Sequence, residues 1–352
     1  MTTNGASPLL DVSGLKVSFA TEDGIVQAVD GVSFSVEPGE IVSIVGESGS
    51  GKSVTAMTLM GLTRGPNAKF EGTAEFDGTE LVTASPQEQQ RVRGAGIAMV
   101  FQDPMSSLDP VHRIGHQIVE QIRAHDRKIS KAQALDRSVE LMERVGIPRA
   151  RERLRSYPHE FSGGMRQRVM IAMALSCSPK LLIADEPTTA LDVTIQAQIL
   201  DELRQLRDET GAGVILVTHD LGVVADIADR VIVMYSGRVV EEGTLDDIFY
   251  DPQHPYTWGL LGSITRIDAD RSQRLPAIPG MPPSLLRPPS GCHFRPRCPH
   301  AFIKCTDVPD LLNRVPDRPE SRDRCFLELE QKRRLRQVGD QIGLAAPEAV
   351  AQ

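Results

Sequence analysis

Residues 9–20, Leu-Leu-Asp-Val-Ser-Gly-Leu-Lys-Val-Ser-Phe-Ala, alternate loosely between apolar and polar and predict a strand. After a turn at Glu22-Asp23-Gly24, Val26, Ala28, Val32, Phe34 and Val36 mark one or two further strands. Ile41 to Val45 is a continuous apolar run, the pattern of a buried strand, and Val54 to Met60 continues as a helix. Gly72 to Gly78 carries a short hairpin signal, and Gly96 to Gln102 reads as a second buried strand ending in a polar residue. Between 103 and 160 the period changes to helical: Ile114, Ile118 and Ile122 recur four apart, and Val139, Leu141, Met142 and Val145 follow helical spacing. A helix Met165–Cys177 with Ser162 as its N-cap is expected next, then an apolar strand Leu181–Glu186 and an amphipathic helix from Val193 to Arg207. Gly213 to Asp220 repeats the apolar-strand-to-polar-end pattern, and Ser236-Gly237 turns a hairpin between Val231–Tyr235 and Arg238–Glu241. The pattern is α/β, with an antiparallel β layer at the N-terminal side and a helical insertion between sheet strands.

Chemistry collects where these strands end. Gly46-Glu47-Ser48-Gly49-Ser50-Gly51-Lys52-Ser53 fits the phosphate-binding loop G-x-x-x-x-G-K-[ST], placed between a strand and a helix as that motif requires. Its glycines let backbone N–H groups turn inward toward phosphate oxygens, and the following helix adds its positive end. Lys52 is expected on the β- and γ-phosphates and the Ser53 hydroxyl on Mg²⁺. Asp185 and Glu186 are adjacent acids at a strand end, a costly pairing without a cation. Asp185 suits Mg²⁺, and Glu186 is placed to orient or deprotonate an attacking water. Gln102 and His219 end strands at what reads as the same ligand-bearing edge of an open sheet. Phe19, judged by its place in a strand alone, reads as core.

The chain has 352 residues, 40% of them apolar, enough for a sizeable core. Its formal net charge of -8 opposes nucleic acid as the main partner. Residues 1–8 lack the apolar segment of a signal peptide, and no apolar run reaches the length that spans a bilayer, so a cytoplasmic protein is expected. Of five cysteines, Cys177 reads as a buried helix thiol; Cys292, Cys298, Cys305 and Cys325 cluster in the last quarter. In a reducing compartment such clustering points to a metal more than to disulfides, and four thiolates suffice for Zn²⁺ or a [4Fe–4S] cluster. The run Lys332-Arg333-Arg334-Leu335-Arg336 reads as a solvated basic face.

Taken in order, these motifs resemble the ATP-binding subunit of ABC transporters over about residues 9–265. The resemblance makes Gly46–Ser53 the Walker A loop, Gln102 the Q-loop residue, Phe161–Gln167 the signature, Leu181–Glu186 Walker B, Ala190-Leu191-Asp192 the D-loop and His219 the switch histidine. It implies ATP contacts from Phe19 (as a stacking aromatic), Gly46, Ser48, Gly49, Ser50, Gly51, Lys52, Ser53, Val54 and Gln102. It places Mg²⁺ on Ser53, Gln102 and Asp185, and assigns catalysis to Glu186 and His219. Ser162, Gly163, Gly164, Met165 and Gln167 are then expected to face the ATP held by a second ATPase subunit. The signature departs from the common form, with Met165 where a glutamine usually stands, which removes a side-chain amide from that position.

The C-terminal part narrows the resemblance. Tyr250–Thr257, Ile278-Pro279-Gly280-Met281-Pro282-Pro283 and Gly291-Cys292-His293-Phe294-Arg295-Pro296-Arg297-Cys298 look like the end of dipeptide/oligopeptide importer ATPases of the D type. The domains expected are an ATPase at 9–265 with a helical subdomain at about 103–178, a metal-bearing region at 266–335 and a flexible tail at 336–352. The resemblance favours [4Fe–4S] over zinc on Cys292, Cys298, Cys305 and Cys325. It implies a peripheral subunit on the cytoplasmic face of the membrane, two permease subunits, a second ATPase of the F type and, indirectly, a substrate-binding protein. The segment Asp103-Pro104-Met105 is expected to touch the permease. Peptides are the implied cargo, with nickel or glutathione as alternatives. A soluble ABC-type ATPase acting on nucleic acid or ribosomes is the rival class, opposed by the single phosphate loop and the absence of a basic face.

Overall fold

The computed structural model describes residues 7–103, 107–189, 191–263 and 278–339. Pro104, Met105, Ala190, the expected boundary near 265 and the tail beyond Gly339 lie outside the described residues. The strands are β1 (Leu10–Thr21), β2 (Gly24–Val36), β3 (Ile41–Val45), β4 (Ala68–Phe76), β5 (Thr79–Glu80), β6 (Ile97–Val100), β7 (Leu181–Asp185), β8 (Gly213–Thr218), β9 (Arg230–Tyr235), β10 (Arg238–Thr244), β11 (Leu312–Asn313) and β12 (Arg322–Asp323). The helices are α1 (Lys52–Leu59), α2 (Pro86–Val92), α3 (Ile114–His125), α4 (Lys131–Arg144), α5 (Ala150–Arg153), α6 (Gly163–Leu175), α7 (Val193–Thr210), α8 (Leu221–Ile227), α9 (Leu245–Tyr250), α10 (Pro255–Gly262) and α11 (Leu329–Gly339).

The chain forms two compact units that interleave in sequence. One holds the residues up to Leu10, Ser35–Ile41 and Glu75–Val217. Its centre is a parallel set, β6 beside β7 beside β8, with Ile97 opposite Leu181 and Leu181 opposite Gly213. These strands are buried along their whole length, which explains why their sequences run apolar without alternation. Against each other pack α3, α4 and α6. Ile114, Ile118 and Ile122, four apart, are each 2% exposed or less, so the helical period of the sequence is the buried stripe of α3. Ser162 caps α6, accepting the Met165 N–H, and the helix begins at once at Gly163.

The other unit holds Asp11–Phe34, Val42–Ala74 and the chain from Thr218 onward. Here β3 runs parallel to β9, and β9, β10, β12 and β11 continue as antiparallel neighbours. β1 and β2 are paired, and burial on β1 alternates on either side of Gly14 (φ 58°), where the phase slips by one residue: Leu10 and Val12 are buried before it, Leu15 and Val17 after it. The C-terminal segment is folded onto this unit. Tyr235, Tyr256 and Phe294 form an aromatic triangle with ring centroids 4.6, 5.3 and 5.4 Å apart, and all three are buried. Each ring contributes about 1.5–3 kcal/mol from burial and up to about 1.5 kcal/mol more from edge and tilted contacts.

The basic run differs from the solvated face expected of it. Helix α11 extends through Gly339, and Lys332 is 1% exposed with its Nζ 2.7 Å from Asp323 Oδ1. Arg333 and Arg336 both reach Asp251, at 3.2 and 2.6 Å. The acids that neutralise these cations lie 9 to more than 80 residues away, so the sequence run displays the charges without their partners.

Candidate functional site

The phosphate loop leaves the end of β3 and enters α1. Gly46 has φ 151°, and a Cβ there would overlap the Met234 carbonyl oxygen. Gly51, the N-cap of α1, has φ 101°, and its Cβ would meet the Ala28 carbonyl oxygen. Both positions therefore need glycine for conformation and for space. Ser48 and Gly49 are exposed, Ser50 and Gly51 are buried, and Ser53 and Val54 are half-buried. Lys52 is buried, with its Nζ donating to Gly46 O at 2.7 Å and to Glu47 O at 3.0 Å. The ammonium thus sits over the curl of the loop, where phosphate oxygens would replace the carbonyls. This cradle, closed to any side chain at two points and carrying a cation, fits a nucleotide triphosphate. Phe19, near the end of β1, is half-buried and keeps part of its ring accessible.

The carboxylates belong to the other unit. Asp185 is the last residue of β7 and is buried. Glu186 follows with φ 50°, a left-handed conformation that costs a non-glycine residue about 1–3 kcal/mol and turns the side chain off the strand direction. Its N–H is held by Val217 O at 2.8 Å. Its Oε2 accepts from Gln102 Nε2 at 2.9 Å and from Thr189 Oγ1 at 3.0 Å. The structure therefore brings Gln102 and Glu186 together, 84 residues apart in sequence.

At the start of α6, Ser162 and Gly163 are exposed, while Gly164 and Met165 are half-buried. A side chain on Gly163 would meet open space. Gln167 lies elsewhere: it is 1% exposed and its buried Nε2 has no hydrogen-bond partner, so this side chain belongs to the interior of the helix packing. Asp192 caps α7 by accepting from Ile195 N at 3.0 Å. His219 is exposed where β8 ends, and Asp220 beside it caps α8.

Cys292, Cys298, Cys305 and Cys325 line one small cavity, walled by Phe294, Phe302, Phe326 and Leu327. The thiols of Cys298 and Cys325 are both pushed up to about 12, first by burial; the other cysteine sulfurs push the same way. Burial also raises Cys292. Cys325 Sγ accepts the Leu327 N–H at 3.5 Å. Among the described residues, no three His, Cys, Asp or Glu side chains converge tightly enough to hold a single metal ion.

The residues that sequence reasoning missed are contacts to the motif rather than members of it. Thr189 is the second donor to Glu186. Glu47 fills a free position of the phosphate-loop pattern, yet its carboxylate is gripped by Arg297, Nη1 to Oε2 at 2.6 Å and Nη2 to Oε1 at 3.0 Å. Its N–H donates to Tyr256 Oη at 2.8 Å. Both partners lie within segments that mark the C-terminal resemblance, but a separation of more than 200 residues gave no local signal.

These features are those of a nucleotide-hydrolysing cassette. Residues 29–189 match the family model described as ABC transporter, and residues 240–305 match the oligopeptide/dipeptide transporter C-terminal region. Among solved structures, the chain is similar to a dimeric post-hydrolysis state of the ATP-binding cassette MJ0796 bound to ADP and Pi. The TM-score is 0.62 at 28% identity, covering 67% of this chain and 98% of that one. The chain belongs to the ATP-binding subunits of the ABC transporter family, and within them to those that carry the oligopeptide/dipeptide transporter C-terminal region. It is 52% identical to the oligopeptide transport ATP-binding protein OppD of Salmonella typhimurium, covering 93% of this chain and 96% of that protein. It is 53% identical to the dipeptide transport ATP-binding protein DppD of Bacillus subtilis, covering 85% and 89%.

Proposed function

We propose that this chain is the ATP-hydrolysing subunit of an importer of di- and oligopeptides, working on permease subunits from the cytoplasmic face of the membrane. No helix among the described residues is long and apolar enough to cross a membrane. The names of the relatives support peptides as cargo. The similarity to a dimeric cassette supports pairing with a second ATPase. In this reading the mate is an F-type subunit packed head to tail, with a homodimer as the alternative, and cargo arrives from a substrate-binding protein.

The observation that carries the mechanism is the hydrogen bond from Gln102 to Glu186. Glu186 is the carboxylate that takes the proton of the attacking water. Gln102 leads into Asp103 and the segment expected at the permease, so its arrangement connects permease contact to the base. Lys52 and the loop N–H groups hold the β- and γ-phosphates and compensate the charge that develops on them. Ser53, Gln102 and Asp185 are the residues for Mg²⁺, which neutralises phosphate charge when bound. Phe19 offers a ring to adenine. Ser162, Gly163, Gly164 and Met165 present the exposed end of α6 to the mate's nucleotide; Asp192 and His219 complete the set.

The four cysteines fit a [4Fe–4S] cluster in the donor set and in sharing one apolar-walled cavity. The same four thiolates suffice for Zn²⁺, the alternative occupant. When bound, the cluster supplies positive charge that keeps the buried sulfurs as thiolates and braces the Pro-rich segment around them.

The deciding experiment is ATP turnover by the assembled transporter carrying Glu186→Gln. A fall of about 10²–10⁴-fold is expected for loss of a general base; unchanged turnover overturns the assignment. Uptake of labelled peptides, nickel and glutathione by the same complex assigns the cargo, and nickel or glutathione uptake without peptide uptake replaces the peptide reading.

A further inference from the structure

The geometry points to Arg297 as a positioning residue of the phosphate loop, acting through Glu47. Three groups of Glu47 are held at once. Arg297 grips the carboxylate at 2.6 and 3.0 Å, Tyr256 Oη accepts the N–H at 2.8 Å, and Lys52 Nζ donates to the carbonyl at 3.0 Å. The first two holds come from the C-terminal region and the third from the loop itself. With its N–H turned to Tyr256, Glu47 is committed as a hinge of the cradle rather than as one of its phosphate donors. The loop's shape at this residue is therefore imposed from outside the motif.

Arg297 is suited to impose it because it cannot move independently. The residue is 7% exposed. Nε donates to Pro279 O at 2.9 Å, Nη2 to Ile278 O at 3.2 Å, and Nη1 to Tyr235 Oη at 3.3 Å, while the guanidinium lies 5.8 Å from the Tyr235 ring centroid. A planar fork fixed on these sides holds a carboxylate in one place, which a lysine on a flexible stem does not. Arg297 stands directly before Cys298, in a single turn Arg295–Arg297 between two of the cavity cysteines. The cysteine-lined cavity and the phosphate loop thus share an anchor, and the C-terminal region has a task in nucleotide binding beyond its own stability.

The test is ATP affinity of the full chain by titration with a fluorescent ATP analogue and competition with ATP. Wild type is compared with Arg297→Gln, Arg297→Lys, Glu47→Gln and the double Glu47→Gln/Arg297→Gln. Losing a charge-assisted bidentate pair is expected to weaken ATP binding about tenfold or more in each glutamine variant, with Arg297→Lys restoring only part. The double variant is expected to bind no worse than the weaker single, because both changes remove one interaction. In the assembled transporter, Arg297→Gln raises the KM for ATP by more than it lowers kcat. Unchanged ATP affinity in a folded Arg297→Gln chain overturns the proposal, and so do losses that add in the double variant. If Arg297→Gln does not fold, Glu47→Gln decides alone: an affinity within about twofold of wild type, well under the effect of one charged hydrogen bond, overturns it. Iron content measured on the same samples is expected to be equal across the set, which separates this outcome from the cluster assignment.

Discussion

Gln102 and Glu186 share a hydrogen bond of 2.9 Å, and Thr189 places a second donor on the same carboxylate oxygen. The oxygen that would take a proton is thus held by two donors. Gln102→Ala removes both this hydrogen bond and a Mg²⁺ residue, so ATP turnover of the assembled transporter is expected to fall, by at least the roughly fivefold that one hydrogen bond of about 1 kcal/mol is worth. Turnover equal to wild type would show that Gln102 positions neither the base nor the metal.

Gly46→Ala puts a methyl into the Met234 carbonyl at φ 151°. Strained backbone costs about 1–3 kcal/mol before the clash is counted. Melting temperature is expected to fall by several degrees and ATP binding to be lost, read by calorimetry and by nucleotide titration. A variant that binds ATP normally would mean that the loop adopts another path than the one seen.

Stability on the alkaline side is set partly by Glu241. This residue of β10 is fully buried and accepts N–H groups from Gln253 and His254, yet burial raises its pKa from 4.5 to about 8. The folded state holds the proton more tightly than the unfolded state. Its contribution is therefore complete below about 4.5 and is lost as pH rises toward about 8. Nearby His254 runs the other way at lower pH, burial having moved it from 6.5 to about 3, so its contribution is present above 6.5 and lost as pH falls. In urea titrations, Glu241→Gln is expected to flatten the decline in unfolding free energy between about pH 5 and pH 8. Parallel declines in wild type and variant would assign the slope to another group.

Purified without oxygen, the chain is expected to carry about four iron and four sulfide per molecule, the content of one cubane cluster. Cys298→Ser or Cys325→Ser is expected to lower both together with the visible absorption. Stoichiometric zinc with no iron overturns the cluster.

The sequence made the elements and the motif positions legible because each depends on neighbours within a turn or a strand. Ser162 was readable as a cap because a cap bonds residues three positions on. The apolar run Leu181–Ala184 is readable as a strand because burial on both faces leaves no polar position before Asp185 at its end. Helices α2, α8, α9 and α10 are short, 6 to 8 residues, and their periods are too brief to stand out. The Glu47–Arg297 pair was not readable, since a motif leaves Glu47 unspecified and its partner is 250 residues away. Gln167 shows the reverse: a motif assigns its position from sequence, while its burial depends on how the helix packs.

Lys52 is a strut as well as a charge: its buried ammonium ties the end of the loop back to the carbonyls of Gly46 and Glu47 at its start. A substitution at Lys52 therefore slackens the loop as well as removing the cation, and the loss of ATP binding in such a variant measures both effects together.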